Sequence, residues 1–76
     1  MLDKSKKSYR NLIQLLVEAR HKKGLTQAEL GKKIGKRQTF VSKFELGERR
    51  LDAVEFVIIC KAIGVSPTRM INKIKL

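Results

Sequence analysis

Several residue types are scarce in this chain of 76 residues, which has one cysteine, one histidine, one proline and no tryptophan. A single cysteine, Cys60, cannot form an internal disulfide, and one histidine with one cysteine cannot supply the three or four ligands of a zinc site. Catalytic arrangements built on histidine would all depend on His21, which lies within a cluster of Lys and Arg residues. We therefore predict no enzymatic activity, no metal and no cofactor.

Long hydrophobic runs and phosphate-binding glycine patterns are also missing. The longest apolar run, FVIIC at residues 56–60, is far too short to span a bilayer. The stretch LIQLLV is interrupted by Gln14, so it does not read as a targeting segment. The glycines form neither a GxGxxG nor a GxxxxGK[ST] pattern. We expect a cytoplasmic protein that has no membrane partner.

Acidic residues are few. Lys and Arg total 18 against 7 Asp and Glu, which gives a formal charge of +11. Such a charge attracts polyanions, either nucleic acid or anionic lipid; the alternative is a solvated surface that binds neither. We expect these 76 residues to form one small domain, with no room among them for a separate ligand-sensing or catalytic domain.

Helix start and stop signals divide the chain into short segments. Residues 1–8, MLDKSKKS, are polar and predict a mobile basic arm, leaving residues 9–76 as the folded domain. Apolar residues recur at helical spacing from Tyr9 to Gly24. Capping boxes at residues 26–29 and 52–55 predict the starts of the second and fourth helices, and Ser66-Pro67 predicts the start of the fifth. No stretch alternates with period two, so we predict an all-α, compact five-helix bundle.

The segment between Gly35 and Gly47 predicts a third helix with two different sides. Val41 and Phe44 share one side, and the opposite side carries the hydrogen-bonding side chains of Gln38, Thr39, Ser42 and Lys43. The fourth helix has two apolar stripes: Val54, Val57 and Ile58 form one, and Phe56, Ile59 and Ile63 form the other. One stripe serves the core; the second either meets another copy of the chain or is covered by helices one and five.

Two short helices joined through Gly35 indicate a helix-turn-helix, in which Gly31 permits a close crossing. The run GLTQAELGKKIGKRQTFVSKFELGERRLD resembles the phage-repressor type of this motif, the XRE family, and the likeness extends over residues 12–72. It implies a lambda-repressor-like bundle with the helix-turn-helix at helices two and three. It also implies a transcriptional regulator of the nucleoid, a repressor that binds double-stranded operator DNA as a homodimer without a small-molecule ligand.

The resemblance assigns roles to individual residues. Base reading in the major groove falls to four: Gln38, Thr39, Ser42 and Lys43. Backbone contacts fall to six: Gln27, Lys36, Arg37, Phe40, Arg49 and Arg50. For Phe40 the alternative is packing beside Phe44, and for each basic residue it is a solvated surface charge. Arg20 and Glu45 match a structural ion pair between helices one and three. Arg37 departs from the usual Ser or Thr cap and leaves helix three without a side-chain N-cap.

Other classes of protein stay open on the sequence. A protein-interaction module, an antitoxin component or a restriction-modification controller could use the same bundle. A protein-interaction module is expected to carry acidic or apolar residues on the outer face of the third helix, and that face has none. A basic amphipathic peptide on a membrane would need one long helix, whereas glycines and capping boxes divide this chain.

Overall fold

A computed structural model describes the backbone of residues 2–74 and the side chains of residues 5–74. Over this part of the chain it has five α-helices and no strand, which confirms the predicted all-α architecture. The helices are α1 (Leu2–Lys22), α2 (Gln27–Lys33), α3 (Gln38–Glu45), α4 (Ala53–Ile63) and α5 (Pro67–Asn72). None of the helices that the structure describes has both the length and the apolar character needed to cross a membrane.

The predicted helix starts are present as hydrogen bonds. The Thr26 hydroxyl accepts from the backbone N–H of Glu29 at 3.0 Å, and the Glu29 carboxylate accepts from the backbone N–H of Thr26 at 2.8 Å. Asp52 and Glu55 form the same reciprocal pair at the start of α4. The contacts with Thr26 hold the pKa of the Glu29 carboxyl below its ordinary value. Local sequence therefore determines where α2 and α4 begin.

The first helix differs from its prediction. It begins at Leu2 rather than at Tyr9, so residues 2–8 are its first turns and not a separate arm. No proline or glycine interrupts this segment, and lysine is a good helix former, which is why a polar stretch continues the helix. Ser8, at the end of the predicted arm, is buried.

The core contains ten buried apolar residues contributed by all five helices: Ile13, Leu16, Leu30, Val41, Phe44, Phe56, Ile59, Cys60, Ile63 and Met70. Cys60 packs in this core as a small hydrophobe, and burial raises the pKa of its thiol to about 11. Only one stripe of α4 is buried. In the other, Val54 is 68% exposed, Val57 37% and Ile58 47%, so α1 and α5 do not cover it.

The turn between α2 and α3 brings two backbones into contact. Gly35 has a left-handed φ of +71°, and the N–H of Lys36 donates to the carbonyl of Gly31 at 2.8 Å. A Cβ added at Gly31 would lie 2.8 Å from the carbonyl oxygen of Lys36, closer than van der Waals contact permits. The crossing that the sequence attributed to Gly31 is therefore confirmed.

Gly31→Ala should destabilise the fold. At a solvent-exposed position inside a helix, Gly→Ala would stabilise the folded state by up to about 1 kcal/mol, because alanine is the better helix former. Here the methyl group must displace backbone, and overpacking of this kind costs about 1–3 kcal/mol. Urea denaturation measures the effect, with Lys32→Ala on the exposed side of α2 as control, which should change stability by less than about 0.5 kcal/mol. An increase in stability on Gly31→Ala would contradict the close crossing.

Candidate nucleic-acid interface

The polar side of α3 is open to solvent. Val41 and Phe44 have no exposed surface, and these two residues attach α3 to the core. On the other side Gln38, Thr39 and Lys43 are exposed and Ser42 is half-buried. The structure thus brings together the four predicted base-reading residues on one outward surface.

The turn before α3 is basic and has little capping. Arg37 occupies the N-cap position with extended backbone and makes no side-chain capping bond, as predicted from its departure from Ser or Thr. Lys36 and Arg37 are both exposed. A helix N-terminus carries partial positive charge, so these two cations and the first turn of α3 present the same sign of potential outward.

The predicted ion pair between α1 and α3 is present and nearly closed to water. Arg20 donates from Nε to Glu45 Oε2 at 2.7 Å and from Nη2 to Oε1 at 3.0 Å. The two side chains are 8% and 7% exposed. A third donor of Arg20, Nη1, binds the carbonyl oxygen of Leu25 at 2.8 Å. The guanidinium thus joins α1, the loop after it and the end of α3.

Gln27 belongs to the same network. Its Nε2 donates to Glu45 Oε1 at 2.9 Å, and the side chain is half-buried. The resemblance implied a phosphate contact for this residue, whereas in the structure its amide links the start of α2 to the end of α3. One N–H of the amide remains for an outside acceptor.

Phe40 forms the centre of a cluster that sequence reasoning missed. Its ring packs edge to face against Phe44, with the ring centroids 5.9 Å apart. Within the protein, Phe40 thus makes the contact with Phe44 that the sequence left as an alternative. Lys36 Nζ lies 5.4 Å and Arg49 Cζ 4.7 Å from the ring centroid. The ring therefore supports two cations at the edge of the α3 surface.

Arg49 and Arg50 are adjacent in sequence but differ in their partners. Arg49 pairs with both carboxylate oxygens of Glu55, at 2.9 and 2.8 Å, and also donates to the carbonyl of Arg50. The bonds from Arg49, followed by those from the backbone of Asp52, hold the pKa of Glu55 below its ordinary value. The same pairing raises the pKa of Arg49. Much of the donor capacity of Arg49 is thus used within the protein.

Arg50, by contrast, stacks on an aromatic ring. Its guanidinium carbon lies 4.1 Å from the ring centroid of Tyr9, and the Tyr9 hydroxyl accepts from the backbone N–H of Leu51 at 3.0 Å. Among the side chains that the structure describes, no carboxylate pairs with Arg50. Stacking on a ring face leaves the guanidinium N–H groups directed outward at the ring edge.

Comparisons with known proteins agree with this geometry. A family model described as helix-turn-helix matches residues 16–70. A solved structure of an XRE-family like protein from Pseudomonas syringae pv. tomato is 45% identical to the chain. The likeness covers 91% of this chain and 84% of that one, with a TM-score of 0.88. A search of curated proteins gave no match.

The chain therefore belongs to the XRE family of helix-turn-helix DNA-binding regulators. Its helix-turn-helix consists of α2, the turn at Gly35 and α3, as the sequence predicted.

Removing one member of the Arg20–Glu45 pair should destabilise the fold strongly. Arg20→Met and Glu45→Gln each leave a buried charge without its partner, which costs about 3–5 kcal/mol. The double variant Arg20→Met/Glu45→Gln removes both charges, and it should lose less than the sum of the two single changes. Urea denaturation of the wild type, the two single variants and the double variant gives the coupling free energy between the two side chains. Additive losses would contradict a direct, buried pair.

Proposed function

We propose that the chain is a sequence-specific repressor that places α3 in the major groove of double-stranded operator DNA. The outward surface formed by Gln38, Thr39, Ser42 and Lys43 on a helix fixed to the core is the observation that carries this proposal. An α-helix with its side chains is about 10–12 Å across, and the major groove is about 12 Å wide, so α3 can enter it.

The chemistry of the four side chains suits base edges. The amide of Gln38 can bind adenine through two hydrogen bonds, and the ammonium of Lys43 can donate to the acceptors of guanine. Thr39 can place its methyl group against that of thymine, and Ser42 can donate or accept. A mixed set of this kind favours reading of sequence over uniform attraction to phosphate.

Contacts to the DNA backbone would surround this surface. Lys36 and Arg37 lie exposed at the turn that precedes α3. Gln27, Phe40, Arg49 and Arg50 flank it, with Gln27 and Arg49 contributing the donors that their contacts to Glu45 and Glu55 leave over. The chain charge of +11 adds a long-range attraction to the duplex.

The exposed stripe of α4 supports a homodimer. Val54, Val57 and Ile58 are all exposed, and by helical spacing one basic residue, Lys61, interrupts this face. We assign this α4 face to a second copy of the chain, because each Val or Ile fully buried contributes roughly 1.5–3 kcal/mol and the facing copy offers the same apolar stripe. Two copies would read half-sites about 34 Å apart.

Repression would follow from occupancy alone. A dimer on an operator excludes polymerase or a competing protein, and control would come from its concentration, from dimerisation or from a partner protein. Such a regulator acts in the cytoplasm, at the nucleoid, and needs no cofactor or small-molecule ligand. An antitoxin would instead use the α4 face for a different protein.

Gln38→Ala should relax base preference. Loss of a bidentate contact to adenine removes about 1–3 kcal/mol of discrimination at one base pair, while affinity for random duplex stays within about twofold of the wild type. Operator selection from a random duplex pool, followed by competition binding, measures both quantities. Asn72→Ala, which removes a side-chain amide from the exposed surface of α5, is the control and should change neither. Unaltered discrimination in Gln38→Ala would contradict the assignment of the reading surface.

Val54→Ser/Ile58→Ser should dissociate the dimer without unfolding the chain, because Val54 is 68% and Ile58 47% exposed in the single copy and neither belongs to the buried core. Sedimentation velocity over a concentration series measures association, and thermal denaturation checks the fold. Leu46→Ser is the control, since Leu46 is 72% exposed but lies outside the α4 face. The α4 face is not a dimer interface if the wild-type chain stays monomeric at about 0.1 mM, or if the double variant associates as the wild type does.

A further inference from the structure

A second basic surface lies beside the α3 surface. A groove of about 710 Å³ runs between the N-terminal half of α1 and the loop that joins α3 to α4. Its lining includes Lys6, Tyr9, Arg10, Glu45, Leu46 and Arg50. We call it the α1 groove. The groove has a wall on this side because α1 begins at Leu2, which makes Lys6 and Arg10 part of a helix.

The net charge of the α1 groove is positive. Lys6 and Arg10 are four positions apart, which places them on one face of α1, and both are exposed. The one acidic residue in the lining, Glu45, is already paired with Arg20 and accepts a further bond from Gln27. No ion pair joins Lys6, Arg10 or Arg50 to a carboxylate among the side chains that the structure describes.

Arg50 is held in place within this groove. Its guanidinium stacks on the Tyr9 ring, and Tyr9 is itself fixed by the hydrogen bond from Leu51 to its hydroxyl. A guanidinium held on a ring loses less rotational freedom on binding than a free one, and its fork of N–H donors matches the oxygens of a phosphate. Neighbouring Arg49 donates from both terminal guanidinium nitrogens to Glu55, so fewer of its donors are available for a phosphate.

We propose that the α1 groove binds phosphates of the DNA backbone outside the base pairs that α3 reads, with Lys6, Arg10 and Arg50 as donors. The groove begins at Glu45 and Leu46, where α3 ends. The backbone of a duplex that contacts α3 therefore extends alongside the groove. This inference rests on the proposed function, and it adds a stretch of backbone contact to that function. An acidic protein segment is the competing occupant.

The test compares two double variants that remove equal charge. Lys6→Gln/Arg10→Gln changes the α1 groove, whereas Arg69→Gln/Lys73→Gln changes exposed residues at α5, which packs against α1 and α4. Binding to a random-sequence duplex is measured over a salt series. Each lost phosphate contact lowers the slope of log affinity against log salt by about 0.9, so the groove variant should lose about 1.8 and bind roughly 60-fold more weakly near 0.1 M salt.

Arg50→Gln provides a second measurement, with an expected loss of about 0.9 in slope. The proposal is overturned if the groove variants keep the wild-type slope, or if they match the α5 variant. It is also overturned if an acidic peptide binds the groove while duplex affinity is unchanged in Lys6→Gln/Arg10→Gln. An unchanged slope in Lys6→Gln/Arg10→Gln leaves the proposed function intact, because that function assigns no contact to Lys6 or Arg10 and depends on base discrimination by Gln38 on a selected operator.

Discussion

The close contact between Gly31 and the backbone of residues 36 and 37 determines how α3 is presented. A methyl group at Gly31 would lie 2.8 Å from the Lys36 carbonyl oxygen, so the crossing of α2 and α3 leaves room for hydrogen only. That crossing sets the direction in which α3 leaves the turn, and Val41 and Phe44 then fix its rotation by burial. A fixed rotation decides which side chains face outward, so packing inside the bundle determines the chemistry presented outside it.

Charged and polar residues around α3 divide into two groups. Arg20 and Glu45 are buried and bind each other, and Gln27 and Arg49 make contacts within the protein that hold α2 and α4 against α3. Among the described side chains, no ion pair joins a carboxylate to Lys36, Arg37, Lys43 or Arg50. The first group gives the surface its shape and the second gives it a positive potential. A regulator of this family needs both, because phosphate contacts position the protein and only a well-placed helix can read bases.

Features that depend on nearby residues were predictable from the sequence. The capping boxes at Thr26 and Asp52, the missing cap at Arg37 and the two sides of α3 all follow from spacings within one or two turns. Most of the features that were missed are side-chain contacts between different elements of the fold. Tyr9 meets Arg50 and Leu51 across more than forty residues, and Glu55 has a second partner in Arg49 that its capping role does not reveal. The start of α1 was also missed, because a lysine-rich segment is compatible with either a helix or an arm.

Amide chemical-shift mapping during a duplex titration can show which side of α3 meets DNA, because it reports on the backbone amides of the whole chain in one experiment. With a selected operator, we expect the largest changes within residues 36–43 and little change on the α4 face, Val54 to Ile58, on addition of DNA. The largest changes on the α4 face, with residues 36–43 unaffected, would contradict the claim that a core-anchored α3 presents its polar side to the duplex.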